Sequence, residues 1–232
     1  MGIIITLIIL AALGAIGFLL YNKLFLETKN VERAFDTFVI KESFKWLSSA
    51  DQQFNQTRHF LASSTMDLSG YSIDIRQMIV RDYSKYKIFL CDISSGTAAG
   101  TNRMMNNKTS LYLMKKLSAR EKIFVKKHGQ GMREEDAAMI KGARLIAGGL
   151  NRQFGSLYSV TGVISGNKSK IFTEDVQKLI LNSQTDYPFS NSAGGTEIYF
   201  NENGFSITST RTYDEKEFKD LIKLGCEIGN LI

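Results

Sequence analysis

Histidine and cysteine are the scarcest chemistry-bearing residues of this chain. Two histidines, His59 and His128, cannot build a His-rich metal centre. Two cysteines, Cys91 and Cys226, are too few for a disulfide scaffold and form no CxxC pair for structural zinc. One proline beside 19 glycines, in 232 residues that are 44% hydrophobic and 22% charged, excludes collagen-like, low-complexity and fully disordered chains. There is no G-x-S-x-G nucleophile elbow. Gly96-Thr97-Ala98-Ala99-Gly100 is not followed by Gly-Lys-Ser/Thr, and in Gly166-Asn167-Lys168-Ser169 an asparagine breaks the phosphate-loop pattern. Glu134-Glu135-Asp136 occupy adjacent positions, so on a helix they cannot all face one metal. No cofactor and no metal is implied.

What the chain does have is a membrane-like opening. Between Ile3 and Leu20 there is no charge, and Thr6 is the only polar residue. As a helix this run is about 27 Å long, against a hydrocarbon core of about 30 Å. Twelve of its residues are Ile, Leu or Phe. At roughly −0.3 to −0.6 kcal/mol each, they favour insertion by about 4–7 kcal/mol. A cleaved leader would carry a basic region before Ile3 and a shorter apolar core, so the reading is a retained transmembrane helix over residues 1–26. Lys23, Lys29 and Arg33 follow the run and no cation precedes it. Positive-inside bias then puts the N-terminus outside and the remainder in the cytoplasm. Ala11 and Ala15 form a small-xxx-small pair, a weak signal for self-association.

Beyond the membrane run, Val31, Phe35 and Phe38 recur at helical spacing. Residues 27–50 are therefore expected to form an amphipathic helical stalk whose apolar face packs on the chain's own globular domain. Residues 51–232 are expected to be a soluble α+β domain, an antiparallel sheet packed with helices. Ser48-Ser49 and Asp51-Gln52-Gln53 read as a helix end or linker. Tyr71, Ile73 and Ile75 alternate with polar residues as a strand does, and residues 86–93, 111–117 and 122–126 are further strands. Residues 96–108 read as a loop. Residues 133–150 read as a helix, because Met139, Ala143, Ile146, Ala147 and Leu150 share a face. Thr173 is the expected N-cap of a short helix, Asn203-Gly204 the turn of a hairpin, and Asp214 the cap of a closing helix.

Two resemblances follow from these residues. Tyr21-Asn22-Lys23-Leu24 and Asn30-Val31-Glu32-Arg33-Ala34-Phe35 resemble the opening of bacterial LemA-family proteins, over about residues 1–35. That likeness implies an N-out membrane helix; LemA proteins continue as a helical bundle, whereas this sequence turns to strands. The remainder resembles an uncharacterised family of bacterial membrane-anchored proteins. It does so through Gly70-Tyr71-Ser72-Ile73, the run Lys170-Ile171-Phe172-Thr173-Glu174-Asp175, the Glu197 to Thr208 hairpin and the closing helix. This implies an inner-membrane protein with no reaction to carry over.

For catalysis, Cys91 and Asp92 with His59 or His128 could supply a Cys/His/Asp hydrolase-like site, and nothing in their spacing selects it. A packed structural cysteine is the simpler reading. Basic charge is more suggestive. The chain carries +6, and Lys115, Lys116, Arg120, Lys122, Lys126 and Lys127 stand against Glu121 alone. On a cytoplasmic domain these can meet anionic headgroups, at about 1 kcal/mol per cation within a Debye length. Nucleic acid is a less economical partner for a chain with a membrane helix. The expectation is a binding or scaffolding domain at the inner-membrane surface, with lipid, a protein partner or a second copy as its ligand. The alternatives are a tethered enzyme or the same domain facing the periplasm.

Overall fold

A computed structural model describes residues 2–69, 71–97, 105–117, 120–127, 144–146, 150–164, 168–186, 196–212 and 214–232. The order of elements is α1 (Gly2–Glu42), β1 (Lys45–Trp46), α2 (Gln52–Ser69), β2 (Tyr71–Asp82), β3 (Lys87–Thr97), β4 (Met105–Met114), β5 (Lys122–Lys127), β6 (Arg144–Leu145), α3 (Arg152–Leu157), β7 (Tyr158–Val163), α4 (Glu174–Asp186), β8 (Glu197–Asn201), β9 (Gly204–Thr210) and α5 (Glu215–Leu231). The strands make one antiparallel sheet in the order β1-β2-β3-β4-β9-β8-β5-β7-β6. The α+β class read from the sequence is the class observed.

Strand side chains alternate between two faces. One face carries Ile79, Ile88, Leu90, Leu111, Leu113, Ile123, Val125, Phe200 and Ile207, and α1, α3, α4 and α5 pack on it. The other carries Met78, Phe89, Cys91, Ile93, Tyr112, Phe124 and Tyr199, and α2 packs there through Phe54, Phe60 and Leu61. At Gly225 and Gly229 of α5 an added Cβ would stand 2.7 Å from the Leu111 and Leu113 side chains. These two glycines, one helical turn apart, seat α5 closely along β4.

Several expectations are revised. The stalk does not run to residue 50: α1 ends at Glu42, and Ser43 takes a left-handed φ of 57° that stops the helix. Lys45 and Trp46 then join the sheet edge beside Val80 and Ile79. The polar run at 48–53 is not a linker. Ser48 N donates to Asp51 Oδ2 at 2.7 Å and Ala50 N to Ser48 Oγ at 3.0 Å, so it forms the turn that opens α2. The loop expected at 96–108 is shorter, because β3 extends to Thr97 and β4 starts at Met105. Of the helix expected at 133–150, residues 133–143 and 147–149 lie outside the described residues. Arg144 and Leu145 are instead paired with Gly162 and Thr161, because the free edge of β7 takes the backbone donors and acceptors a helix would have used.

The C-terminal third follows its local signals. Asn203-Gly204 turns the β8–β9 hairpin with Gly204 at φ +136°, a conformation closed to L side chains. Asp214 Oδ1 accepts from Lys216 N at 2.8 Å and caps α5. Phe218, Leu221, Ile222 and Ile228 are buried, whereas Leu231 is exposed.

Among the described residues no helix is long and apolar enough to cross a membrane. The run from Ile3 to Leu20 falls partly outside that set: the side chains of Ile3, Ile4, Ile5, Leu7, Ile8, Leu10 and Ala11 are not among those described.

Candidate functional site

Three places carry the residues singled out above: the projecting helix α1, a buried carboxylate midway along β3, and the basic residues of β5 and the turns near it.

In the first half of α1 the described large apolar side chains are exposed. Leu13, Ile16, Phe18, Leu19 and Leu20 are each more than half exposed, and Phe25 and Leu26 are exposed after them. Five residues beyond Leu26 the environment changes. Val31, Phe35 and Phe38 are 0–1% exposed and belong to the main core. Phe218 of α5 meets Phe35 and Phe38 edge-on, at 5.1 and 5.6 Å. Ion pairs stitch the joint: Lys41 to Glu215 at 2.8 Å, and Lys219 to Glu42 at 3.0 Å and to Glu215 at 3.2 Å. Burial of three large side chains is worth several kcal/mol, at roughly 1.5–3 kcal/mol each, whereas exposed ion pairs add about 0–1 kcal/mol each. The apolar contacts therefore hold α1 in place. A shallow open groove lies beside the joint, lined by Asn30, Arg33, Ala34, Thr37 and Glu215.

The carboxylate is Asp92, 1% exposed, on the face that α5 covers. Arg211 grips it with both Nε (3.1 Å to Oδ1) and Nη2 (2.9 Å to Oδ2), and Arg76 Nη2 adds a third bond at 3.0 Å. Arg76 sits at a β-bulge between Ile75 and Gln77, which re-aims its side chain toward Asp92. Burial raises the Asp92 pKa, against the pull of the two guanidiniums. Cys91, its neighbour in β3, points to the opposite face, is fully buried, and has its thiol pKa pushed up by burial and then by the Asp92 charge. His59 is exposed on α2, whose buried side, with Phe60 and Leu61, packs toward Cys91. His128 lies outside the described residues. The structure does not bring Cys91, Asp92 and His59 together: strand alternation separates the first two, and helix periodicity turns the third outward.

The expected basic patch is divided. Lys126 faces the α2 side of the sheet, while Lys127, the next residue along the strand, alternates to the other. Lys126 and Lys108 flank Glu197, at 3.2 and 2.9 Å. Burial raises the Glu197 pKa and the two ammonium groups outweigh it, so the carboxyl lies below the usual range. Lys115 turns back onto the end of α5, donating to Gly229 O at 2.8 Å and to Ile232 O. That is a cation satisfying carbonyls at a helix C-terminus. Lys116, Arg120 and Lys122 remain exposed at the same end of the sheet.

Residues that sequence reasoning did not single out are Arg76, Arg211, Lys108 and Glu197, together with Glu121 as a structural acceptor. Glu121 is buried and takes hydrogen bonds from Ser169 Oγ at 2.5 Å, Lys170 N at 3.1 Å and Ile171 N at 3.5 Å. Their partners lie 16 to 119 positions away in sequence, so no local pattern announces them. A buried Asp within an apolar strand, Asp92 after Ile88-Phe89-Leu90-Cys91, was the one available hint that a cation must be near.

The class defined by these features is an antiparallel α+β domain fused to a helix that outruns it with exposed apolar residues. No family model matches the chain, and no curated protein does. Among solved structures, the chain is similar to the crystal structure of the mycobacterial trehalose monomycolate transport factor A. The identity is 9% and the TM-score 0.55, with 87% of this chain and 93% of that chain covered. The likeness is one of fold.

Proposed function

We propose that this chain is a single-pass inner-membrane protein whose α+β domain is a binding or scaffolding module held against the bilayer surface. The observation that carries the reading is the free half of α1: a continuous helix whose exposed side chains from Leu13 to Leu20 are apolar on every side. A helix apolar all round is buried in something, and a bilayer is the partner whose thickness its length matches. Lys23, Lys29 and Arg33 then lie at headgroup level, and they favour a cytoplasmic domain. Cys91 and Asp92 do not supply a hydrolase site, being buried and on opposite faces.

The test is fractionation. The full chain should stay with membranes through an alkaline carbonate wash, and a variant lacking residues 1–26 should be soluble. Release of the full chain by the wash refutes the anchor. Protease added to intact spheroplasts should spare the domain and digest it only after permeabilisation; digestion in intact spheroplasts places the domain in the periplasm instead.

A further inference from the structure

The turns at one end of the sheet share a chemistry that neither the core nor the anchor uses. This end is defined by the close of β2, the start of β3, the close of β4, the β8–β9 turn, the start of β5 and the close of β7. At about 4.8 Å per strand it is roughly 30 Å wide. Its turns carry Lys85, Lys116, Arg120, Lys122, Lys168 and Lys170, all exposed. Residues 115–117 run beside the hairpin tip, with Lys115 N bonded to Asn203 O and Leu117 N to Glu202 O. Lys170 is brought in by its N–H bond to the Glu121 carboxylate, which immediately precedes Lys122. The row is therefore continuous from the β2–β3 turn to the start of β5.

The acidic groups on these turns do not balance it. Asp82 is taken by Lys87 at 3.1 Å, Glu121 is buried under Ser169, and Glu202 lies 3.8 Å from Arg120. The residues of these turns that lie outside the described set are Ser118, Ala119, Ser165, Gly166 and Asn167, and none of them is charged. The crowding of positive charge is felt by Lys115, whose pKa is lowered by burial and then by Lys85.

The position of this row sets it apart from the α1 joint, which the proposed anchoring puts nearest the bilayer. α5 serves as a ruler. Its first residue, Glu215, lines the groove with Asn30, Arg33 and Thr37, and its last turn is bonded to Lys115. Seventeen residues of helix separate these ends by about 25 Å. That is about three Debye lengths at physiological ionic strength, so headgroups near the α1 joint are screened from the row. Nucleic acid is disfavoured by the aromatic residues present. Tyr83 and Tyr86 stack on each other at 5.4 Å and are half-buried, so they offer no open face to a base.

We infer that the row Lys85, Lys116, Arg120, Lys122, Lys168 and Lys170 is a docking surface for an acidic, Asp/Glu-rich segment of a protein partner. It rests on the anchoring proposed above only in discounting the chain's own lipid. Lysine predominates, which suits a string of carboxylates met as point charges rather than a bidentate pocket.

The test uses the full chain reconstituted in nanodiscs of zwitterionic lipid and a fluorescent poly-glutamate peptide, read by anisotropy. The peptide should bind at low salt, and binding should weaken steeply as salt is added. Replacing Lys116, Arg120, Lys122 and Lys168 together by Gln should weaken it by about tenfold or more. Replacing Lys23 and Lys29 by Gln should leave it unchanged, and far-ultraviolet circular dichroism should confirm that both variants are folded. Equal binding by the fourfold variant overturns the proposal. So does tighter binding of a single-stranded RNA of the same charge, which would make the row a nucleic-acid surface. Failure of the chain to enter nanodiscs would count against the anchor alone, because the same titration can be run on the full chain in detergent.

Discussion

Glu197 is the residue whose charge state the surrounding chain controls most openly. Lys108 and Lys126 hold its carboxyl ionised below the usual value of about 4.3. A depressed folded value means that the stabilisation is fully present above that ordinary value. It is lost as pH falls through the folded one. Glu197→Gln should therefore cost about 1–3 kcal/mol at neutral pH, and its stability should vary less than that of the parent chain below pH ~4. Urea midpoints across an acid series check both, and parallel acid profiles for the two proteins would refute the assignment. Ser43 makes the opposite case. It is held at φ 57° where glycine is at ease, so Ser43→Gly should raise stability by about 1 kcal/mol. An unchanged or lower thermal midpoint would show that the Ser43 side chain offsets its strain.

At the scale of elements, α1 joins the domain through one buried stripe. Phe35 lies 6.0 Å from Trp46, the chain's single tryptophan, and 5.1 Å from Phe218. Phe35→Ala should cost about 3–5 kcal/mol and shift Trp46 emission to longer wavelength, because the indole loses its stacked neighbour. Phe25→Ala, on the projecting half, should change neither. If the two substitutions cost the same in detergent, α1 is not welded where Val31 enters the core. The helix α2 illustrates what local pattern conceals. Its mean character is polar, and among its described side chains only Phe54, Thr57, Phe60 and Leu61 are buried. Ser48 and Asp51 looked like linker residues because the same side chains serve turns and helix starts.

For the whole molecule, rigidity between the projecting half of α1 and the domain is the consequential feature. Only about four residues, some 6 Å of helix, separate Leu26 from the first buried contact at Val31. In the proposed anchoring the domain thus has no flexible tether, and one end of it is kept near the lipid. Removing residues 1–26 should leave the thermal midpoint within a few degrees, since about 1 kcal/mol moves it by only about 2–4 °C in a domain of this size. A large fall would mean that the projecting half of α1 packs on the domain. Inserting four helix-forming residues after Leu26 should instead rotate and lift the domain, which depth-dependent quenching of Trp46 by brominated lipid would register. No change in quenching would count against a rigid joint.

The sequence by itself determined whatever a short window can encode. That includes the apolar opening run, the stripe of Val31, Phe35 and Phe38, the Asn203-Gly204 turn, the Asp214 cap and the α+β class, because each rests on neighbours within a few positions. Tertiary structure decided how distant groups met. It turned Cys91 and Asp92 to opposite faces, clamped Asp92 between Arg76 and Arg211, and gave Lys115 to the end of α5 and Lys126 to Glu197. It also gathered Lys85, Lys168 and Lys170 beside the remaining cations. Charges pair through space and not along the chain, so only the closed sheet, with its register fixed, could say which cations share one end of it.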